Sequence, residues 1–203
     1  AHHLNDQVET VLFRLLRGTG TDGLAGMEYS RDNGLGVAII RPLLDVKRED
    51  IEAYCQAHEL APRTDLTNNQ PLYTRNKIRL ELIPYIKEHY NSNFEEAILR
   101  LCKIAGDDRN YLGNIAELAF DELVRNVEPT RCALDAAGLR ELAPSIRSRV
   151  LFKALESIGL LTGAGYVHME QAEELLKEGK TSSQMNFPGG VVMEITYDTV
   201  QLF

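Results

Sequence analysis

The feature that most constrains this chain is a run of apolar side chains at helical spacing: Phe94, Ile98, Leu101, Ala105, Leu112, Ile115, Ala119 and Leu123. The run predicts one long helix over roughly 93–125, with Pro129 closing it. Gly106 and Gly113 weaken its centre by about 1 kcal/mol each relative to Ala. A helix this long exceeds the usual three turns of a globular domain. It therefore reads as a connector, with a unit on either side. The expected division is 1–88, a helical connector over 89–128, and 129–203.

The first segment reads as α/β. Ala1 to Asn5 suits a strand end and loop, and Asn5 or Asp6 can cap a helix over 7–16 carrying Val8, Val11, Leu12, Leu15 and Leu16. R-G-T-G (Arg17–Gly20) followed by Thr21, Asp22 and Gly23 must stop that helix. Residues 28–36 read as a loop, and Val37 to Ile40 as a buried parallel strand. Asp45 can cap a helix carrying Ile51, Tyr54 and Cys55 on one face. Residues 61–74 are loop-like. A helix from Arg75 carries Ile78, Leu82, Ile83 and Ile86, and Pro84 kinks or splits it.

The last segment reads as a small α+β unit. Cys132 to Leu134 form a short strand or turn, and helices follow over Ala136–Leu142, Pro144–Ile158 and His168–Glu178. Met185 and Phe187 alternate with polar residues, as do Val191, Met193 and Ile195 beyond Pro188–Gly190, which predicts a hairpin. Thr199 to Phe203 can add a third strand.

Charge limits the function classes. The net charge is −8; residues 1–85 carry 10 basic and 12 acidic side chains, and residues 86–203 carry 12 and 18. Neither part suits a non-specific nucleic-acid binder, so any RNA contact needs a local patch. Three scattered cysteines, Cys55, Cys102 and Cys132, fit a reducing cytosol and no disulfide framework. No apolar run is long enough to span a membrane. The chain opens on Ala1 directly within a dense motif, so an upstream segment is expected.

Four constellations carry chemistry. A-H-H-L-N-D-Q (Ala1–Gln7) places His2, His3 and Asp6 at a helix start, where α/β folds bind ligands and backbone N–H groups favour anions. The same residues also suit a cap and packed histidines. Adjacent histidines on a strand face opposite ways, so no metal site is expected there. R-G-T-G can approach phosphate or simply end a helix. In T-R-N-K-I-R (Thr74–Arg79), Arg75 and Arg79 share a helical face beside Asn76 and Lys77. Cations at a helix start oppose the macrodipole, which suits an anionic ligand or an acidic partner such as Glu81 or Asp65. Arg140, Arg147, Arg149 and Lys153 form a basic series that can meet RNA phosphate or solvent.

The order of these motifs carries a resemblance. A-H-H-L-N-D-Q-x-E-T (Ala1–Thr10), L-L-R-G-T-G-x-D-G-L (Leu15–Leu24), R-P-L-L (Arg41–Leu44), D-x-x-N (Asp65–Asn68) and R-N-K-I-R (Arg75–Arg79) together resemble the bacterial tRNA(Ile)-lysidine synthases, of the PP-loop ATP-pyrophosphatase superfamily. Lys77 stands where that family usually has Arg. R-S-R-V-L-F-K-A-L-E (Arg147–Glu156) and F-P-G-G (Phe187–Gly190) resemble its substrate-binding domain. The implied fold is an incomplete Rossmann-like PP-loop domain, a long helix and a mixed α+β domain. The implied activity is ATP-dependent C–N ligation in the cytoplasm. ATP with Mg²⁺ adenylates C2 of the wobble cytidine of tRNA(Ile) with a CAU anticodon, and L-lysine displaces AMP.

By position, Asp6 and Arg79 are the implied catalytic residues. His2, His3, Arg17, Arg75 and Asn76 are implied at the substrate and ATP sites, and Lys77, Arg147, Arg149 and Lys153 at tRNA. A homodimer stays open as the assembly. The family's phosphate-binding loop, S-G-G-x-D-S, does not occur in these 203 residues, so the chain alone is expected to be inactive. Two alternatives remain: a PP-loop tRNA thiolase, although no cysteine falls in a motif, and a non-catalytic tRNA-binding module.

Overall fold

The computed structural model describes residues 2–32, 36–63, 73–160, 163–178 and 180–203. The D-x-x-N motif lies outside them. The chain forms two compact units, Ala1–Arg109 and Asn110–Phe203.

Unit one begins with α1 (Leu4–Arg17), longer at its start than its apolar pattern requires. Its N-cap position is His3, not Asn5 or Asp6. The backbone N–H of Leu4 is taken by the Val46 carbonyl at 3.0 Å, which lets the helix start early. Val8, Val11 and Leu12 bury one face of α1 against Ile78, Ile83, Ile98 and Cys102. A short α2 (Thr21–Leu24) follows.

The next two expectations need correction. A strand, β1 (Ser30–Asp32), lies in the stretch read as loop, and it pairs antiparallel with β2 (Ala38–Ile40). β2 is exposed along its length and is neither parallel nor buried. It is joined to its neighbour by a short connection, and such a connection can make only an antiparallel pair. Helix α3 (Arg48–Ala57) starts beyond Asp45. Its first N–H, from Arg48, donates to the Asn5 side chain at 3.1 Å, so a residue on α1 supplies the acceptor expected from Asp45.

The R-N-K-I-R segment forms α4 (Thr74–Lys77), which runs into a π turn (Ile78–Leu82) and then α5 (Ile83–His89). In the π turn the Ile83 N–H reaches the Ile78 carbonyl. Pro84 explains the wide turn. It has no N–H to donate, and its ring would crowd the carbonyl four residues back in a regular helix. The helix therefore widens instead of breaking, and Ile78 and Ile83 both stay in the core.

Helix α6 (Phe94–Leu123) is the long helix read from the sequence. Ile98 and Cys102, in its first half, belong to the core of unit one; Ala116 and Phe120, in its second half, belong to that of unit two. The helix stops before Pro129, because β3 (Val124–Glu128) intervenes and Pro129 lies in the turn to β4 (Arg131–Asp135).

Unit two is a five-stranded antiparallel sheet of order β3-β4-β7-β6-β5, with β5 (Ser183–Asn186), β6 (Val192–Ile195) and β7 (Thr199–Leu202). Alternation buries Cys132 and Leu134, Met193 and Ile195, and Val200 and Leu202. Three further helices complete this unit: α7 (Ala136–Glu141), α8 (Pro144–Ser157) and α9 (Tyr166–Glu178). Val150, Leu151, Ala154 and Leu155 from α8, with Met169, Ala172 and Leu176 from α9, join the same core. The F-P-G-G turn joins β5 to β6 as expected; Gly189 and Gly190 both take positive φ there, 74° and 82°, which other residues resist.

Candidate active-site cluster

In unit one, two carboxylates on α1 meet two guanidiniums from the α4 segment. Asp6 and Glu9 are three residues apart and so share a helical face. Arg75 Nε donates to Glu9 Oε2 at 3.0 Å, and its Nη2 lies 3.3 Å from Asp6 Oδ1. Arg79 Nε donates to Glu9 Oε1, and its Nη2 reaches Glu9 Oε2 at 2.9 Å and Asp6 Oδ1 at 3.2 Å. The Glu9 side chain is 2% exposed and that of Asp6 10%, against 41% for Arg75 and 25% for Arg79. The cations opposing the α4 dipole are thus balanced by carboxylates of the chain itself. Those carboxylates are Asp6 and Glu9, whereas the sequence suggested Glu81 or Asp65, the latter outside the described residues.

Asp6 has a second task. Its Oδ2 accepts the His3 backbone N–H at 2.9 Å, while the Asp6 N–H donates to the His3 carbonyl at 3.0 Å. It therefore closes the first turn of α1 and orders the arginines at once. His3 Nε2 lies 3.5 Å from the same oxygen, and His3 Nδ1 is buried without a partner among the described residues. Burial pushes the His2 imidazole below its usual pKa; Asp6 opposes this, and Arg41 and Arg75 add to it. The Arg79 guanidinium is pushed up, chiefly by its hydrogen bond to Glu9, against the effect of burial.

The cluster can hold and orient an anion. All bonds to the two carboxylates run through Nε and Nη2 of each arginine, so Nη1 is not used in them. Two positive and two negative groups leave no net charge, so the cluster is no cradle for a polyphosphate on its own. Nor does the donor set fit Mg²⁺: a divalent cation at Asp6 and Glu9 would have to displace guanidinium N–H groups from both.

The remaining expected residues fall elsewhere. Arg17 is exposed and lies over the Phe13 ring, 5.2 Å from its centroid. Lys77 is exposed and lines an apolar cleft with Leu16, Ile78 and Tyr85. Asn76, half-buried on α4, is not among the groups bonded to Asp6 or Glu9.

Arg147, implied at tRNA by the resemblance, lies inside unit two. Arg147 is 8% exposed; Nε donates to the Leu139 carbonyl, Nη2 to those of Arg140 and Leu142, and Nη1 to Glu173 at 2.6 Å. It ties α7, α8 and α9 together, with four of its five N–H groups spent in these bonds. Arg149 donates to the Ser145 carbonyl at 3.1 Å, and Lys153 pairs with Glu117 at 2.9 Å.

Three side chains that hold this region together were missed by sequence reasoning. Glu9 was visible only as the second acid of D-x-x-E opposite R-x-x-x-R. Gln7 accepts the Met27 N–H at 2.6 Å and donates to the Met27 carbonyl at 2.8 Å. Arg14 donates to the carbonyls of Gly23 and Gly26 at 3.0 and 2.8 Å. Together Gln7 and Arg14 bind the glycine-rich segment back onto α1, so R-G-T-G leads into an anchored loop.

With this geometry, the PP-loop domain family matches residues 1–86, which contain the whole cluster. The chain is 39% identical over 204 residues to the tRNA(Ile)-lysidine synthase of Clostridioides difficile, covering 99% of this chain and 43% of that protein. It is 44% identical over 193 residues to that of Clostridium acetobutylicum, covering 94% and 40%. Against that of Thermosynechococcus vestitus it is 35% identical over 202 residues, covering 100% and 57%. Residues 1–86 are thus similar to PP-loop domains. More narrowly, the chain is a homologue of the tRNA(Ile)-lysidine synthases, spanning about two fifths of the two clostridial relatives. Among the described residues no helix is long and apolar enough to cross a membrane.

Proposed function

We propose that the chain is part of an ATP-dependent C–N ligase that joins L-lysine to C2 of the wobble cytidine of tRNA(Ile). ATP, lysine and the tRNA are the substrates. The observation that carries this reading is the joining of D-x-x-E on α1 to R-x-x-x-R on α4 and the π turn after it, across 70 residues of sequence, in one charge cluster. The C2 oxygen of cytidine leaves poorly until it is esterified to phosphate, and fixed cations stabilise the charge that develops as it departs. Asp6 and Glu9 hold Arg75 and Arg79 in place, so neither guanidinium reorganises when an anion arrives at Nη1. Asp6 and Arg79 are the residues we assign to catalysis. His2, His3, Arg75 and Asn76 border the same end of unit one as binding residues; Lys77, Arg149 and Lys153 are assigned to tRNA.

We also propose the division into a PP-loop segment over 1–88, a connector over 89–128 that carries α6 and ends in β3, and a substrate-binding unit over 129–203. The S-G-G-x-D-S loop of the family does not occur in this sequence. The purified 203-residue chain is therefore expected to release no AMP from ATP in a lysine- and tRNA-dependent manner, whereas a polypeptide of the relatives' length carrying it does so. Lysine-dependent AMP release by the chain alone would overturn the assignment of phosphate binding to residues beyond it. Absence of release by the longer protein would overturn the ligase reading.

A further inference from the structure

A second cleft, of about 410 Å³, lies within unit two and is lined by Arg125, Asp135, Arg140, Tyr197, Asp198 and Thr199. Its volume is in the range of small-ligand sites. It shares no residue with the charge cluster of unit one.

Each wall is fixed by bonds that leave a recognition group over. Asp135 caps α7 by accepting the Gly138 N–H at 2.7 Å and holds Arg125 by an ion pair at 2.5 Å. Arg140 commits Nε to the Leu176 carbonyl at 3.2 Å, which orients its guanidinium and leaves its other N–H groups out of that bond. The β6–β7 turn is locked by Thr196: its Oγ1 accepts the Thr199 N–H at 3.1 Å, and its N–H donates to the Thr199 carbonyl at 2.8 Å. That rigid turn carries Tyr197, 85% exposed, and the exposed Asp198. An exposed aromatic ring on a hydrogen-bonded turn, beside two guanidiniums and the Asp198 carboxylate, matches the parts of one nucleotide. The ring offers a stacking face, Arg125 and Arg140 offer donors to a phosphate, and Asp198 accepts from an exocyclic amine or ring N–H. Two cations against two acids give no net charge, which disfavours the regular phosphate rows of a duplex. Sequence-tolerant recognition of unpaired bases works instead by stacking on aromatic side chains.

We propose that this cleft holds one unpaired nucleotide of an RNA strand, stacked on Tyr197. The choice of RNA as the source rests on the proposed function; the stacking chemistry does not, and a free mononucleotide would offer the same groups. The test uses the whole chain and fluorescence anisotropy with three probes: a labelled ten-nucleotide single-stranded RNA of mixed sequence, the same sequence as a blunt duplex, and unlabelled AMP, CMP, GMP and UMP as competitors. Tyr197→Ala is expected to weaken single-strand binding about tenfold or more, as loss of one stacking platform does. Tyr197→Phe is expected to stay within about twofold of wild type, and the duplex to bind at least about tenfold more weakly than the single strand. Tyr197 is exposed on a turn, and unchanged protection of the buried Cys132 thiol verifies the fold of each variant.

Equal affinities for wild type and Tyr197→Ala, or preference for the duplex, would overturn the proposal. Competition by mononucleotides as tight as the oligomer would overturn RNA as the source. Tyr197-dependent binding by the chain, together with absence of lysine-dependent AMP release by a polypeptide of the relatives' length, would sink only the ligase reading. Unchanged RNA binding by Tyr197→Ala, with ligation intact in a polypeptide of the relatives' length carrying the same substitution, would sink only the cleft.

Discussion

Replacing Glu9 by Gln keeps its shape but removes the more buried of the two charges that hold Arg75 and Arg79. Glu9 accepts from Arg75 Nε and from both Nε and Nη2 of Arg79, with its side chain 2% exposed. Breaking a buried ion pair costs about 3–5 kcal/mol, because the surviving charge is left without a partner. Here the surviving guanidiniums are 25% and 41% exposed and keep Asp6, so water recovers part of that. An expected cost of about 2 kcal/mol follows. The cysteines provide the assay: Cys102 is buried in unit one and Cys132 in unit two. Native-state thiol labelling read by mass spectrometry then reports the opening of each unit separately. A 2 kcal/mol loss raises Cys102 labelling about 30-fold, with Cys132 unchanged. Combined with Arg79→Gln, the two effects should be strongly non-additive, since the residues share bonds. A Cys102 rate within twofold of wild type, or simple additivity in the double variant, would refute the reasoning.

Other expectations follow from single contacts. Arg147→Ala, which strands Glu173 and three carbonyls in unit two, should cost about 3 kcal/mol and accelerate labelling of Cys132, with Arg147→Lys failing to restore it. Gly26→Ala should destabilise unit one by about 1–3 kcal/mol in chemical denaturation, because φ is +72° and a Cβ would sit 2.4 Å from Gln7 Oε1. For His2 the sign is set by its lowered pKa: the unfolded chain binds its proton first, so its contribution is full above pH 6.5 and falls as the pH drops below that value. NMR titration should find the His2 midpoint below 6.5, and His2→Gln should reduce the acid-side loss of stability of unit one; a midpoint above 6.5 would reverse the sign.

What the sequence revealed depended on how local the physical signal was. The run from Phe94 to Leu123 repeats one period over many turns, so the long helix was legible, as was the F-P-G-G hairpin with its alternating flanks. Val37 to Ile40 gave a strand but the wrong environment, because an apolar run does not name its partner. Asp6, Arg75 and Arg79 were legible through their motifs, yet what they touch was not: Glu9 lies about 70 residues from the arginines it binds. Arg147 shows the same limit in reverse. A guanidinium spent on carbonyls at a helix junction has the same letter as one facing solvent, and only the backbone of α7 distinguishes them.

The most direct measurement is the rate of lysidine formation, as kcat/KM, by Asp6→Ala and Arg79→Ala in a polypeptide of the relatives' length carrying this chain. Labelling of Cys102 at the assay temperature verifies that unit one remains folded. Each substitution is expected to lower the rate at least ~10²-fold, as loss of a positioned electrostatic contact does. Folded variants that both turn over near the wild-type rate would contradict the assignment of the α1–α4 charge cluster to the active site.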